Sequence, residues 1–171
     1  IAEYGAYDWN TAELSTADTK VYEVVVGITP AMGKIVGLPA GKSFHLVLNN
    51  EVVFDNRIPP IGFTNAAFEA IRSAPVNYTY ADGQHWDDTL YDIPIGATQA
   101  VATLYNQTSS KEYIEFLRDT NTTDTNGQVA YDQWVLGGKS APIVMDSVMI
   151  DITNTKPIPG DVNGDGVVDV G

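Results

Sequence analysis

Four oxygen-bearing side chains and a glycine fall in register at the end of the chain. In "PGDVNGDGVVDVG" the pattern runs Asp161, Asn163, Asp165, Gly166, Asp169. In a calcium-binding loop, positions 1, 3 and 5 offer side-chain oxygens and position 6 is a glycine that permits the sharp turn. Position 7 offers a main-chain carbonyl, here that of Val167, and position 9 another oxygen. Calcium takes six to eight oxygens, and this spacing folds such groups around one point. The expected cofactor is therefore calcium, held by Asp161, Asn163, Asp165, Val167 and Asp169. Position 12, the usual bidentate carboxylate, falls one residue past Gly171, so the loop as it stands reads as a stub of reduced affinity.

The second concentration of chemistry is "YADGQHWDDTLYD", residues 80–92. Asp82, Asp87 and Asp88 are candidates for a second calcium site that pins a long loop. Trp86, Tyr80 and Tyr91 are the alternative, a ring platform for a sugar with carboxylates accepting its hydroxyls. A glycoside-active carboxylate pair is a third reading. Neighbours on a strand point to opposite faces, so Asp87 and Asp88 make a poor pair. An ordered turn, with Trp86 in the core and aspartates capping N–H groups, would explain the same residues without function.

Other constellations carry less. Arg57 lies among apolar residues and should pair with Asp55 or Asp88. His45 and His85 are the only histidines and lack the spacing of a zinc site. "GLPAGKS" (37–43) has one residue too few between its glycines for a phosphate loop. No G-x-S-x-G elbow occurs. Asn77, Asn106 and Asn121 head sequons that would be open to glycosylation in a secreted protein.

The elements that must position these residues read as strands. "KVYEVVVGI" (20–28), "TQAVATLYNQT" (98–108) and "APIVMDSVMIDIT" (141–153) are β-branched and alternate. In the last, Val144, Val148, Ile150 and Ile152 share one parity, interrupted by Asp146. "SFHLVLNNEVVF" (43–54) reads as a bent strand or a hairpin about Asn49-Asn50. Only 65–72 and 111–119 carry helical spacing. The expected fold is all-β: a mostly antiparallel β-sandwich, jelly-roll or immunoglobulin-like, with one or two short helices. It would span 1–153, followed by a proline-bearing linker at 154–160 and the truncated calcium loop at 161–171.

Composition narrows the function classes. With 22 acids against 9 bases the net charge is −13, which argues against nucleic acid as a partner. The absence of cysteine removes disulfides, thiolate metal sites and covalent haem attachment from this chain. No apolar run is long enough to span a membrane.

Two resemblances follow from the quoted residues. "GDVNGDGVVDVG" closely resembles the opening of a dockerin type I repeat, over the last dozen residues only. That implies secretion to the extracellular space or cell surface, and a cohesin-like protein partner for the intact module. "DNRIPPIGFTNAAFEA" (55–70), "YADGQHWDDTLYDIPIGA" (80–97), "LYNQTSSKEYIEFLRD" (104–119) and "GKSAP" (138–142) resemble the β-rich C-terminal region of secreted bacterial multihaem c-type cytochromes. Such proteins carry haem on C-x-x-C-H motifs, and this chain has none. The resemblance thus places any haem-bearing or catalytic function in an upstream segment of a larger protein. It leaves this chain as a non-enzymatic accessory or binding domain, with a carbohydrate-binding module as the alternative and a glycoside-active enzyme last.

Overall fold

A computed structural model describes residues 7–8, 10–14 and 19–152. Two short strands, β1 (Tyr7–Asp8) and β2 (Glu13–Leu14), form a small hairpin. There follow β3 (Val24–Ile28), α1 (Pro30–Val36), β4 (Gly41–Lys42), β5 (Glu51–Asp55) and α2 (Asn65–Ala70). The second half holds β6 (Gln99–Asn106), α3 (Lys111–Thr120), α4 (Asn126–Leu136) and β7 (Ile143–Asp151).

The fold corrects the expectation of an all-β sandwich. Among the described residues helix and strand contribute about equally, 24% each, and the sheets have only two or three strands. β4-β3-β5 is an antiparallel three-stranded sheet, whereas β6 and β7 pair only with each other. Among the described residues no two sheets stack face to face as a sandwich needs, and helices separate the three-stranded sheet from the β6–β7 pair along the chain. The expected domain boundary at 153 and the linker at 154–160 lie outside the described residues.

Two helices went unread in the sequence for physical reasons. The first opens on Pro30, which breaks most helices but sits here at the first helical position, where its missing N–H is no loss. Thr29 caps that helix by accepting from the Met32 N–H, and Gly37 closes it at φ 72°, a conformation that glycine adopts without strain. α4 has almost no apolar stripe, so periodicity could not reveal it; it exists by packing on α3. Gly127 lets the two backbones meet, since a Cβ there would lie 2.1 Å from the Leu117 carbonyl oxygen. Arg118 stacks over the Tyr131 ring at 4.3 Å, and Trp134 is buried beside Tyr131.

The buried core is small: Ile28 of β3 and Phe63 are its fully buried large side chains among the described residues. Phe63 meets Phe68 of α2 edge-on at 4.8 Å, which fastens the "DNRIPPIGF" segment to that helix. Residues 43–50 form turns leading into β5 rather than a strand or hairpin: the Leu48 N–H returns to the His45 carbonyl, and Asn49 Nδ2 donates to the Ser43 carbonyl. Among the described residues, no helix is long and apolar enough to cross a membrane.

Candidate functional site

The loop at 80–92 is organised by a carboxylate that faces inward. Asp87 Oδ2 accepts from the Tyr22 hydroxyl at 3.1 Å and the Tyr78 hydroxyl at 3.0 Å. Lys20 Nζ donates to the Tyr78 hydroxyl at 3.0 Å and lies 3.8 Å from the same carboxylate oxygen. The ammonium also sits over the Tyr78 ring, 4.6 Å from its centre. Residues 20–22 and 78–87, distant in sequence, therefore converge on one nearly buried anion. Burial raises the Tyr22 pKa, and the hydrogen bond to Asp87 pushes it the same way, because the neutral phenol is the donor the carboxylate needs.

Beneath this cluster Tyr80 is only 3% exposed, and its hydroxyl donates to the Asn56 carbonyl at 2.7 Å. Burial, then the negative charge of Asp87, push its phenol far above the usual tyrosine range. Asn56 is a second hub. Its Oδ1 accepts from the Glu23 N–H at 2.8 Å and its Nδ2 donates to the Val21 carbonyl at 2.7 Å. One side-chain amide thereby imitates a strand's pairing with residues 21–23. Sequence reasoning missed Asn56, Lys20 and Tyr78; an asparagine amid "FDNR" gives no local sign of a partner thirty-odd residues back.

The expected ligands of a second calcium do not come together. Asp82 Oδ1 accepts from the Asn65 N–H and from Asn65 Nδ2, at 2.8 and 2.9 Å, and so fastens the loop to the start of α2. Those bonds hold its carboxyl below the ordinary range. Asp87 is turned toward the tyrosines, and Asp88 is exposed. Among the described residues no group of three histidines or carboxylates is arranged to hold a metal ion. Asp161, Asn163, Asp165, Val167 and Asp169 lie outside the described residues.

The expected ring platform is divided. Tyr80 belongs to the core, while Trp86 and Tyr91 are 51% and 48% exposed. His85 meets Trp86 edge-on at 5.1 Å, and Gln84 holds the turn by accepting from Ala81 N–H and donating to the Trp86 carbonyl. A half-exposed indole braced in this way can stack on an apolar sugar face.

Arg57 pairs with Asp55, the first of the two partners expected for it. Nε donates to Oδ1 at 2.9 Å and Nη2 to Oδ2 at 2.6 Å, a fork that depresses the Asp55 carboxyl against the opposing effect of burial. The pair edges an open groove of about 300 Å3 that includes Pro59, Pro60, Phe63 and Phe68. A similar groove of about 310 Å3 lies between Leu38, Phe44, His45 and Phe116.

No protein family, curated protein or solved structure matches the chain. The dockerin and cytochrome resemblances rest on the quoted motifs alone.

Proposed function

We propose that the chain is a non-catalytic, extracellular accessory module of a larger secreted protein, ending in a calcium-organised docking loop for a cohesin-like partner. The observation that carries this reading is the register of Asp161, Asn163, Asp165, Gly166 and Asp169. The site geometry is compatible with it: Asp87, nearly buried, accepts from Tyr22 and Tyr78 and so ties residues 20–22 to the 80–92 loop, while Asp55 is taken up by the neighbouring Arg57. The multihaem-cytochrome resemblance supports an upstream haem-bearing segment as the parent's working part. Calorimetric titration with calcium tests the loop. Heat is expected from the chain and not from Asp161→Ala/Asp165→Ala; equal heats from both would remove the tail as the site.

A second reading, carbohydrate binding, is favoured by the exposure of Trp86 and Tyr91. Retardation of the chain in gels containing soluble polysaccharides, abolished in Trp86→Ala, would establish it. Unaltered mobility across neutral and acidic polysaccharides would count it out.

A further inference from the structure

β6 and β7 form a lone two-stranded ribbon whose composition is that of a sheet interior. Nine of its apolar side chains, Val101, Leu104, Tyr105, Val148 and Ile150 among them, are each more than half exposed. The pairing sets Ala100, Ala102 and Leu104 beside Ile150, Val148 and Asp146 on one face, and Val101 and Thr103 beside Met149 and Ser147 on the other. Both faces are thus apolar, with a Thr103–Ser147 hydroxyl contact of 3.1 Å in the middle of the second. Neither strand shares a sheet with any other element among the described residues, so each presents an outer edge of unpaired main-chain groups. A ribbon of two strands is marginal in water; three or more strands are needed for independent stability.

We infer that this ribbon is a self-association element: β7 pairs with β7 of a second copy about a two-fold axis, making a four-stranded antiparallel sheet. Three observations choose this occupant. Six of the nine side chains lie on β7 itself, and only their edge-facing flanks meet the second copy, so at roughly 100 Å2 apiece no more than about 600 Å2 per copy is available, which fits a weak, reversible dimer rather than an obligate one. The ribbon carries no lysine or arginine, and its only acids are Asp146 and Asp151, so a basic partner finds little to pair with along most of it. The strand is also self-complementary. Centred on Val148, the pairing sets Ser147 against the partner's Met149, Asp146 against Ile150 and Asp151 against Met145, with no two carboxylates opposed.

Other registers are worse. Opposed residues share a face, so the axis must pass through a residue. A centre on Asp146 opposes it with itself, a like-charge pair, and a centre on Met149 opposes no carboxylates but pairs only residues 147–151 of β7. Centres nearer the start of β7 bring the bulge at Met145 into the middle of the pairing, whereas the centre on Val148 meets it only at the two ends, opposite Asp151. β6 offers a poorer edge, interrupted by Gln99, Thr103 and Asn106. With a net charge of −13 on each copy, long-range repulsion opposes the dimer and salt strengthens it.

Sedimentation velocity of the full chain over rising concentration tests this. A reversible dimer is expected, tighter in high salt and weakened about tenfold or more in Kd by Val148→Lys, which adds charge at the axis. Because Val148 is exposed in the single copy, that variant should keep its fold, checked by circular dichroism. The chain lacks cysteine, so register can be read directly. Val148→Cys should cross-link to itself on oxidation faster than Ser147→Cys, since directly opposed residues have Cβ atoms about 4.5–5.5 Å apart. A monomer at every concentration up to about 1 mM, a dimer indifferent to Val148→Lys, or equal cross-linking at both positions would overturn the proposal. So would association only with a different protein while the chain alone stays monomeric.

Discussion

The Tyr80 hydroxyl donates to the main-chain carbonyl of Asn56 at 2.7 Å, while the Asn56 side chain holds the main chain of residues 21–23 from the other side. The two residues form one continuous buried path from the 80–92 loop, through the end of β5, to the segment leading into β3. Position along that path sets the penalty for breaking it. Asn56→Ala deletes two hydrogen bonds and leaves a donor and an acceptor without partners, and should lose about 2–3 kcal/mol of stability. Tyr80→Phe deletes one and should lose about 1 kcal/mol. Urea unfolding at neutral pH gives both values. A smaller loss for Asn56→Ala than for Tyr80→Phe would show that the 21–23 segment is held by something else.

At Asp87 the same logic separates charge from hydrogen bonding. Two phenols donate to one oxygen, and an ammonium lies close by. Asp87→Asn keeps an acceptor of similar shape and should destabilise by about 1 kcal/mol, whereas Asp87→Leu strands two hydroxyls and should cost about 3 kcal/mol. Thermal melting of the two variants distinguishes them. If they melt together, the carboxylate contributes through its charge on Lys20 rather than through the tyrosines.

The Asp55–Arg57 fork predicts a loss of stability in acid. The folded carboxyl titrates below its unfolded value because the guanidinium and the Arg57 N–H stabilise the anion. The unfolded chain therefore binds the proton more readily, and stability falls as pH drops. The contribution is complete above the unfolded carboxyl value near 3.9 and disappears as pH falls through the lower folded value. Asp55→Asn should be less stable at pH 6 by about 1–2 kcal/mol and show a shallower decline between about pH 4 and 2. Parallel declines in the two proteins would assign the acid sensitivity to other carboxylates, of which Asp82 is one held low by Asn65.

Gly127→Ala sets helix propensity against packing. Alanine favours a helix interior by about 1 kcal/mol over glycine. Here its Cβ would enter the space of the Leu117 carbonyl, at 2.1 Å, against backbone that cannot swing aside. Overpacking of this kind costs about 1–3 kcal/mol, so the variant should be less stable and the α3–α4 pair should open. An unchanged or raised melting temperature would mean that the two helices part without penalty.

Legibility in the sequence followed the range of the interactions. α2, α3, β6 and β7 were readable because their residues repeat at the period of the element that they form. Even there, one detail escaped. The bulge at Met145 puts Val144 beside Tyr105, on the face opposite Val148, so the shared parity of Val144, Val148 and Ile150 does not place them on one side. α4 and the sheet β4-β3-β5 depend on contacts remote in sequence, such as Gly127 on Leu117 and Val24 opposite Asp55. The Arg57–Asp55 pair was legible, being two residues apart. The cluster of Lys20, Tyr22, Tyr78 and Asp87 was not, because nothing local distinguishes an aspartate that faces inward from Asp88 beside it, which does not.

The alkaline limb of stability should report on Tyr80. Its phenol ordinarily titrates near 10. Burial and the neighbouring Asp87 charge raise the folded value well above that, so the folded chain keeps the proton that the unfolded chain releases. Stability from this source is complete below pH 10 and declines above it, by about 1.4 kcal/mol per pH unit for each such tyrosine. Tyr22 adds to the same limb, its phenol also raised by burial. Tyr80→Phe cannot ionise there. It begins less stable at pH 8, through the lost bond to the Asn56 carbonyl, but should fall less steeply, so that its curve converges on that of the unaltered chain by about pH 11. Urea unfolding across pH 8–11, with tyrosinate absorbance followed in parallel, measures both. Curves that stay parallel would place the Tyr80 hydroxyl in water, against the buried position that ties the loop to Asn56.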